Sequence, residues 1–151
     1  MMGTDDIIAG VNQYPSAPLL VLTGGEPSLV IDDELIALLK HATGKTITIE
    51  TNGTRPLPPG IDWITLSPKA GLPGGDLYPV VLQHCDELKV VYVGQDLSQY
   101  DHIEARYRFL QPCFVGDEVR YQRNISDTVA AVMREPRWRL SLQTHRILNI
   151  R

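Results

Sequence analysis

The sequence predicts an α/β domain built on a mostly parallel sheet. Short apolar runs of strand length alternate with segments whose apolar residues recur at helical spacing or with long crossings. That alternation implies parallel strands with both faces covered. The runs also stop abruptly in small or polar residues, most sharply where Leu19-Leu20-Val21-Leu22 meets Thr23-Gly24-Gly25-Glu26-Pro27. With 151 residues and 43% apolar composition, the chain can bury one core, and residues 1–151 read as a single domain.

Taken in order, Thr4 to Gln13 reads as the end of a helix: Thr4 can cap, Asp5 and Asp6 suit the first turn, and Ile7, Ile8 and Val11 are apolar at helical spacing. Leu19 to Thr23 reads as a fully buried strand. Asp32 to His41 is a helix with Leu35, Ile36, Leu38 and Leu39 apolar, ended by Thr43-Gly44. Thr46 to Glu50 and Ile61 to Leu66 are strands, and Leu77 to Gln83 is a short helix or irregular. Glu87 to Val93 and Arg106 to Leu110 are strands. Asp127 to Arg134 is a helix stopped by Pro136, and Trp138 to Gln143 alternates as a last strand.

Composition narrows the function. A net charge of −4 without a basic block argues against non-specific nucleic-acid binding. No apolar run approaches the roughly 20 residues a bilayer span needs, and the acidic start, Met1-Met2-Gly3-Thr4-Asp5-Asp6, is unlike a secretory signal. Two cysteines, Cys85 and Cys113, read as free thiols of a cytoplasmic protein. No zinc spacing and no two-metal carboxylate pair appears, and His41, His84 and His102 receive no role.

In parallel α/β folds ligands sit beyond the carboxyl ends of the strands. Four such ends carry distinctive chemistry: Thr23-Gly24-Gly25-Glu26-Pro27, Glu50-Thr51-Asn52-Gly53-Thr54, Ser67-Pro68-Lys69 and Gln111-Pro112-Cys113. Gly24 and Gly25 permit positive φ and close approach of a ligand to the backbone, or make a plain turn. Glu26 adds a charge suited to an ammonium group. Thr51-Asn52-Gly53 reads as a turn. Glu50 closes an alternating strand at the top of the sheet, where an acid serves as a hydrogen-bond partner. Lys69 brings a cation to the same side or is a solvated surface lysine. Gln143 and His145 interrupt an apolar run that continues through Ile147, Leu148 and Ile150, which implies a docked terminus.

In this order, the segments LTGGEPSL, IETNGT, ITLSPK, DELKVV, FLQP and WRLSLQTHRILNIR resemble the 7-carboxy-7-deazaguanine synthases of the radical S-adenosylmethionine superfamily. The resemblance runs from about Thr4 to Arg151. It implies a partial, open (β/α) barrel of the radical S-adenosylmethionine type. It implies a carbon–nitrogen lyase that contracts 6-carboxy-5,6,7,8-tetrahydropterin to 7-carboxy-7-deazaguanine on the route to queuosine. The implied cofactors are S-adenosylmethionine (SAM), a [4Fe-4S] cluster and Mg²⁺. The implied partners are a second copy in a homodimer and an electron donor such as a flavodoxin. By resemblance, Gly24, Gly25, Glu50, Ser67, Pro68, Lys69, Gln111, Pro112, Cys113 and Phe114 would bind SAM. Thr23, His145 and the carboxylate of Arg151 would bind the pterin.

The chain departs from that family at the cluster loop and at its last residue, Arg151, where the family has a small or proline-like ending. Such enzymes hold their cluster with three cysteines on a loop after the first strand, and no three-cysteine set occurs here. The expectation is that the first strand and the cluster loop are missing, that the threonine offered to Mg²⁺ is absent with them, and that this chain is inactive alone. The strand Leu19 to Thr23 would then form an exposed edge that favours self-association. The alternative readings are a noncatalytic SAM- or purine-binding module and another radical branch, such as an activase of glycyl-radical enzymes.

Overall fold

A computed structural model describes residues 3–77, 79–148 and 150. Its centre is a six-stranded sheet: β1 (Leu19–Leu22), β2 (Thr46–Thr51), β3 (Trp63–Leu66), β4 (His84–Tyr92), β5 (Glu104–Pro112) and β6 (Arg139–Leu140). Every neighbouring pair is parallel, and the spatial order is the chain order. The sheet does not close on itself, so the expected partial, open β/α fold is what forms. Two helices make crossovers, α2 (Asp33–Thr43) between β1 and β2 and α3 (Glu118–Arg134) between β5 and β6. Helix α1 (Thr4–Asn12) precedes the sheet and α4 (Thr144–Ile147) follows it. The crossover from β2 to β3 is a loop, and those from β3 to β4 and from β4 to β5 carry short 3-10 turns at Gly75–Leu77 and Leu97–Tyr100.

Local chemistry sets the helix ends. The Asp32 carboxylate accepts from Leu35 N–H at 2.8 Å, and Gly44 leaves α2 at φ 65°, a left-handed conformation that glycine adopts without strain. Helix α3 begins at Glu118, well before the expected Asp127. The Asp117 carboxylate accepts from Arg120 N–H at 2.8 Å and starts the helix in a stretch too polar to show a clear apolar stripe. At α1 the cap is Gly3 rather than Thr4, with Asp6 accepting from the Gly3 N–H.

Two apolar clusters hold the layers together. Ile36 and Leu39 of α2 pack with Ile47 of β2, joined by Ile7 and Ile8 of α1. Leu66, Leu88, Val90 and Leu110 of the central strands pack with Ala131 of α3, Trp138, Tyr100 and Ile103. Strand β1 departs from expectation. Leu19 and Val21 are 54% and 49% exposed, because β1 is an edge with a partner on one side and no helix over that face. The last strand is also shorter than expected. Ser141 N–H bonds Leu110 O, after which the chain turns into α4.

Leu110 is fully buried, so Leu110→Ala should lower stability by about 2–5 kcal/mol. Val21→Ala at the edge should cost about 0.5 kcal/mol or less. Urea unfolding of the two variants side by side checks the contrast; equal losses would mean that the sheet's core does not lie where Leu110 is.

Candidate functional site

Because all strands run one way, their carboxyl ends share one rim, and a cavity of about 690 Å³ opens there. Each strand end delivers its part. Thr23, Gly24, Gly25 and Glu26 follow β1; Glu50, Thr51 and Asn52 come from the end of β2; Ser67 and Lys69 follow β3. Lys89 and Val91 come from β4, Gln111 from β5, and residues 141–145 arrive from the β6–α4 connection. The glycines have φ 86° and 56°, and open space lies where a Cβ would stand, so their backbone is turned toward the cavity without side-chain cover.

Of the residues singled out from the sequence, Thr23, Gly24, Gly25, Glu50, Ser67, Lys69, Gln111 and His145 all meet on this cavity. Four others do not line it. Pro68 and Pro112 are buried under the strand ends, where they fix the backbone direction of Ser67 and Gln111. Cys113 lines a separate recess with Asn124 and Arg134, and its carbonyl accepts from the Asn124 side chain at 2.7 Å. Phe114 faces Tyr121 and carries the Arg146 guanidinium 3.6 Å above its ring. That stacking seats α4, whereas Ile147, Leu148 and Ile150 stay exposed, so the tail is anchored by a cation on an aromatic ring rather than by its apolar residues. Arg151 lies outside the described residues.

Glu26 plays a different part from the one its charge suggests. Its carboxylate accepts from Thr51 Oγ1 at 2.6 Å, Asn52 N–H at 2.8 Å and Ser28 N–H at 3.1 Å. It therefore ties the end of β1 to the end of β2 instead of standing free for an ammonium group. Burial acts to raise its pKa, but the bonds from Asn52, Thr51 and Ser28 outweigh that and hold the carboxyl below the ordinary glutamate value. Asn52 serves the turn as well, accepting from Thr54 N–H at 3.0 Å beside Gly53 at φ 76°. A Cβ at Gly53 would stand 2.3 Å from a Leu66 methyl, so the turn that reads as generic is closely fitted to the core.

The other charges of the cavity are Glu50, Lys69 and Lys89. Glu50 accepts from Thr23 Oγ1 at 3.3 Å and pairs with Lys89 at 3.3 Å. Lys69 donates to Ser67 Oγ at 2.9 Å. Burial, then the nearby Lys89 charge, push the Lys69 ammonium below its ordinary pKa, against the opposite pull of Glu26 and Glu50. Sequence reasoning passed over Lys89. The signal was its place inside an apolar strand between Leu88 and Val90, where a lysine must face away from the core.

Glu26→Ala should cost roughly 1–3 kcal/mol at neutral pH by stranding three donors. A carboxyl with a depressed folded pKa stabilises the fold above its unfolded value, here 4.5, and loses that contribution as pH falls. The difference between wild type and Glu26→Gln should therefore shrink on acidification below that value. Unfolding free energies measured across pH 3–7 check the sign; a constant difference would contradict the bonded carboxylate.

No protein-family model matches the chain. Individual relatives do. Over its whole length the chain is 52% identical to the 7-carboxy-7-deazaguanine synthase of Bacteroides thetaiotaomicron, of which it spans 75%. It is 40% identical over 97% of its length to the synthase of Bordetella pertussis, spanning 66% of that protein. It is 43% identical over 88% of its length to that of Nitratidesulfovibrio vulgaris, spanning 59%. The chain thus spans three quarters of one relative and under two thirds of the other two. On this likeness along its full length, the chain belongs to the 7-carboxy-7-deazaguanine synthase family.

Proposed function

We propose that these 151 residues supply the ligand-binding rim of a carbon–nitrogen lyase that converts 6-carboxy-5,6,7,8-tetrahydropterin to 7-carboxy-7-deazaguanine in queuosine biosynthesis. The observation that carries the reading is the meeting of the Gly24-Gly25 backbone, Ser67, Lys69, Gln111 and His145 on one cavity. S-adenosylmethionine, once bound, supplies the radical initiator for the ring contraction. This chain's residues bind and orient. The exposed backbone of Gly24 and Gly25 meets the amino-acid end of that cofactor, and Ser67, Lys69 and Gln111 line its bed. Glu50, acceptor-only while ionised, takes donors from the ribose or the substrate. Thr23 and His145 face the pterin.

The residues present do not fit the [4Fe-4S] cluster. The sequence has two cysteines. Cys85 lies at the start of β4, at the end of the strand opposite the cavity, and burial pushes its thiol up to about 11, away from the thiolate a cluster needs. Cys113 lies after β5 in its own recess. Among the described residues no group of three His, Cys, Asp or Glu side chains is placed to hold a metal ion, and no residue of this chain is put forward for Mg²⁺. Without three thiolates for the cluster, the reading for these 151 residues by themselves is a module that binds ligand and does not turn it over. The complete activity draws on a cluster and an electron donor such as a flavodoxin, in the cytoplasm.

Calorimetry should show S-adenosylmethionine and the carboxylated pterin binding to the chain. Lys69→Met should weaken the first about tenfold, the effect of losing one charge-assisted contact. Absence of heat with both would remove the reading. Iron and sulfide analysis of anaerobically purified chain should find no stoichiometric cluster.

The exposed β1 edge supports a homodimer. Sedimentation should report two copies, with Val21→Lys shifting the mass toward one; a monomeric wild type would refute it.

A further inference from the structure

Two carboxylates and two lysines share the cavity, and their pairing is uneven. Glu26 is committed to Thr51, Asn52 and Ser28. That leaves Glu50 as the one cavity carboxylate that two lysines compete for. Glu50 stands on β2 in register with Thr65 of β3, which in turn stands in register with Glu87 of β4. Lys89, two positions beyond Glu87, reaches back across β3 over the small Thr65 side chain to Glu50 Oε1 at 3.3 Å, with Glu87 Oε1 at 4.0 Å. Thr23 Oγ1 holds the other Glu50 oxygen at 3.3 Å. Lys69 is left with the neutral Ser67 hydroxyl at 2.9 Å and pairs with no carboxylate among the described residues.

We propose that Lys89 is a positioning residue: it holds the Glu50 carboxylate on its own side of the cavity and so keeps the Lys69 ammonium open to an anionic group of the ligand. The inference rests on the reading of this cavity as a ligand site. Two ammonium groups and one uncommitted carboxylate meet here, and the placement of Lys89 decides which lysine is left without it. Without Lys89, Glu50 has no rival cation and turns to Lys69, which closes the anion subsite with the protein's own carboxylate. Burial already weighs against a charged Lys69, so an internal partner would be readily accepted.

The titration of Lys69 tests this without any ligand. Lysines can be ¹³C-methylated and followed by NMR, with the Lys69 signal assigned by its loss in Lys69→Arg. The charged groups acting on Lys69 are Lys89, Glu26 and Glu50. In Lys89→Met, Lys69 should titrate at higher pH than in wild type, because a repelling charge is gone and Glu50 has moved in. Glu50 already pulls on Lys69 in the wild type, so Glu50→Gln alone should lower the Lys69 titration, and in the Lys89→Met background it should lower it by more. Lys89→Arg should behave as wild type. An equal lowering by Glu50→Gln in the wild-type and Lys89→Met backgrounds would overturn the proposal, since Glu50 would then not have moved. With S-adenosylmethionine as probe, Lys89→Met should bind about tenfold more weakly. If wild type binds neither S-adenosylmethionine nor the carboxylated pterin, the functional reading falls, while the titration still decides the role of Lys89.

Discussion

Six parallel strands laid down in chain order bring six carboxyl ends to one rim, and everything else about this molecule follows from that arrangement. Each crossover must return the chain to the far edge before the next strand starts, so connections at the rim are free to be short, polar and irregular. Strands are held by their ladder hydrogen bonds and by Leu66, Leu88, Val90 and Leu110 behind them. The rim residues carry little of that load. The fold can therefore place two glycines, a serine, two lysines and a glutamate there without weakening its core.

Glu26 shows how the rim is nonetheless kept in shape. An open sheet has no closing strand to fix the spacing of its edge members. A carboxylate that gathers two donors from β2 and its turn and one from its own turn supplies that spacing at the point where β1 would otherwise be free to move. Lys45 does similar work at the opposite end. Its ammonium, largely buried, donates to Tyr14 O and Ala17 O and fixes the turn that leads into β1. The edge strand is thus tied at both ends by a charged side chain bonded to backbone or hydroxyl partners, a stronger arrangement than neutral bonds would give.

Much of this was legible in the sequence, and the reasons are local. A cap acid before an apolar stripe and a glycine after it located α2 within two residues. Small residues after apolar runs located the rim, and the order of those segments located the family. What was not legible depended on contacts distant in sequence. Leu19 and Val21 read as buried because they are apolar, yet burial requires a neighbour on that face. Helix α3 read short because Val119, Gln122, Arg123 and Asn124 give no apolar stripe, and only the Asp117 cap marks its start. Glu26 read as a free charge because its partners, Thr51 and Asn52, are brought to it by the β1–β2 pairing.

Lys89 marks the limit of local reading most clearly. A lysine in the run Leu88-Lys89-Val90 declares only that one face of the strand is not core. Its meaning depends on Glu50, two strands away, with Thr65 in register between them. Charge placement on a parallel sheet is thus a property of rows across strands rather than of segments along them, and the row Glu50, Thr65, Glu87 with its neighbour Lys89 sets where the charges of the cavity stand.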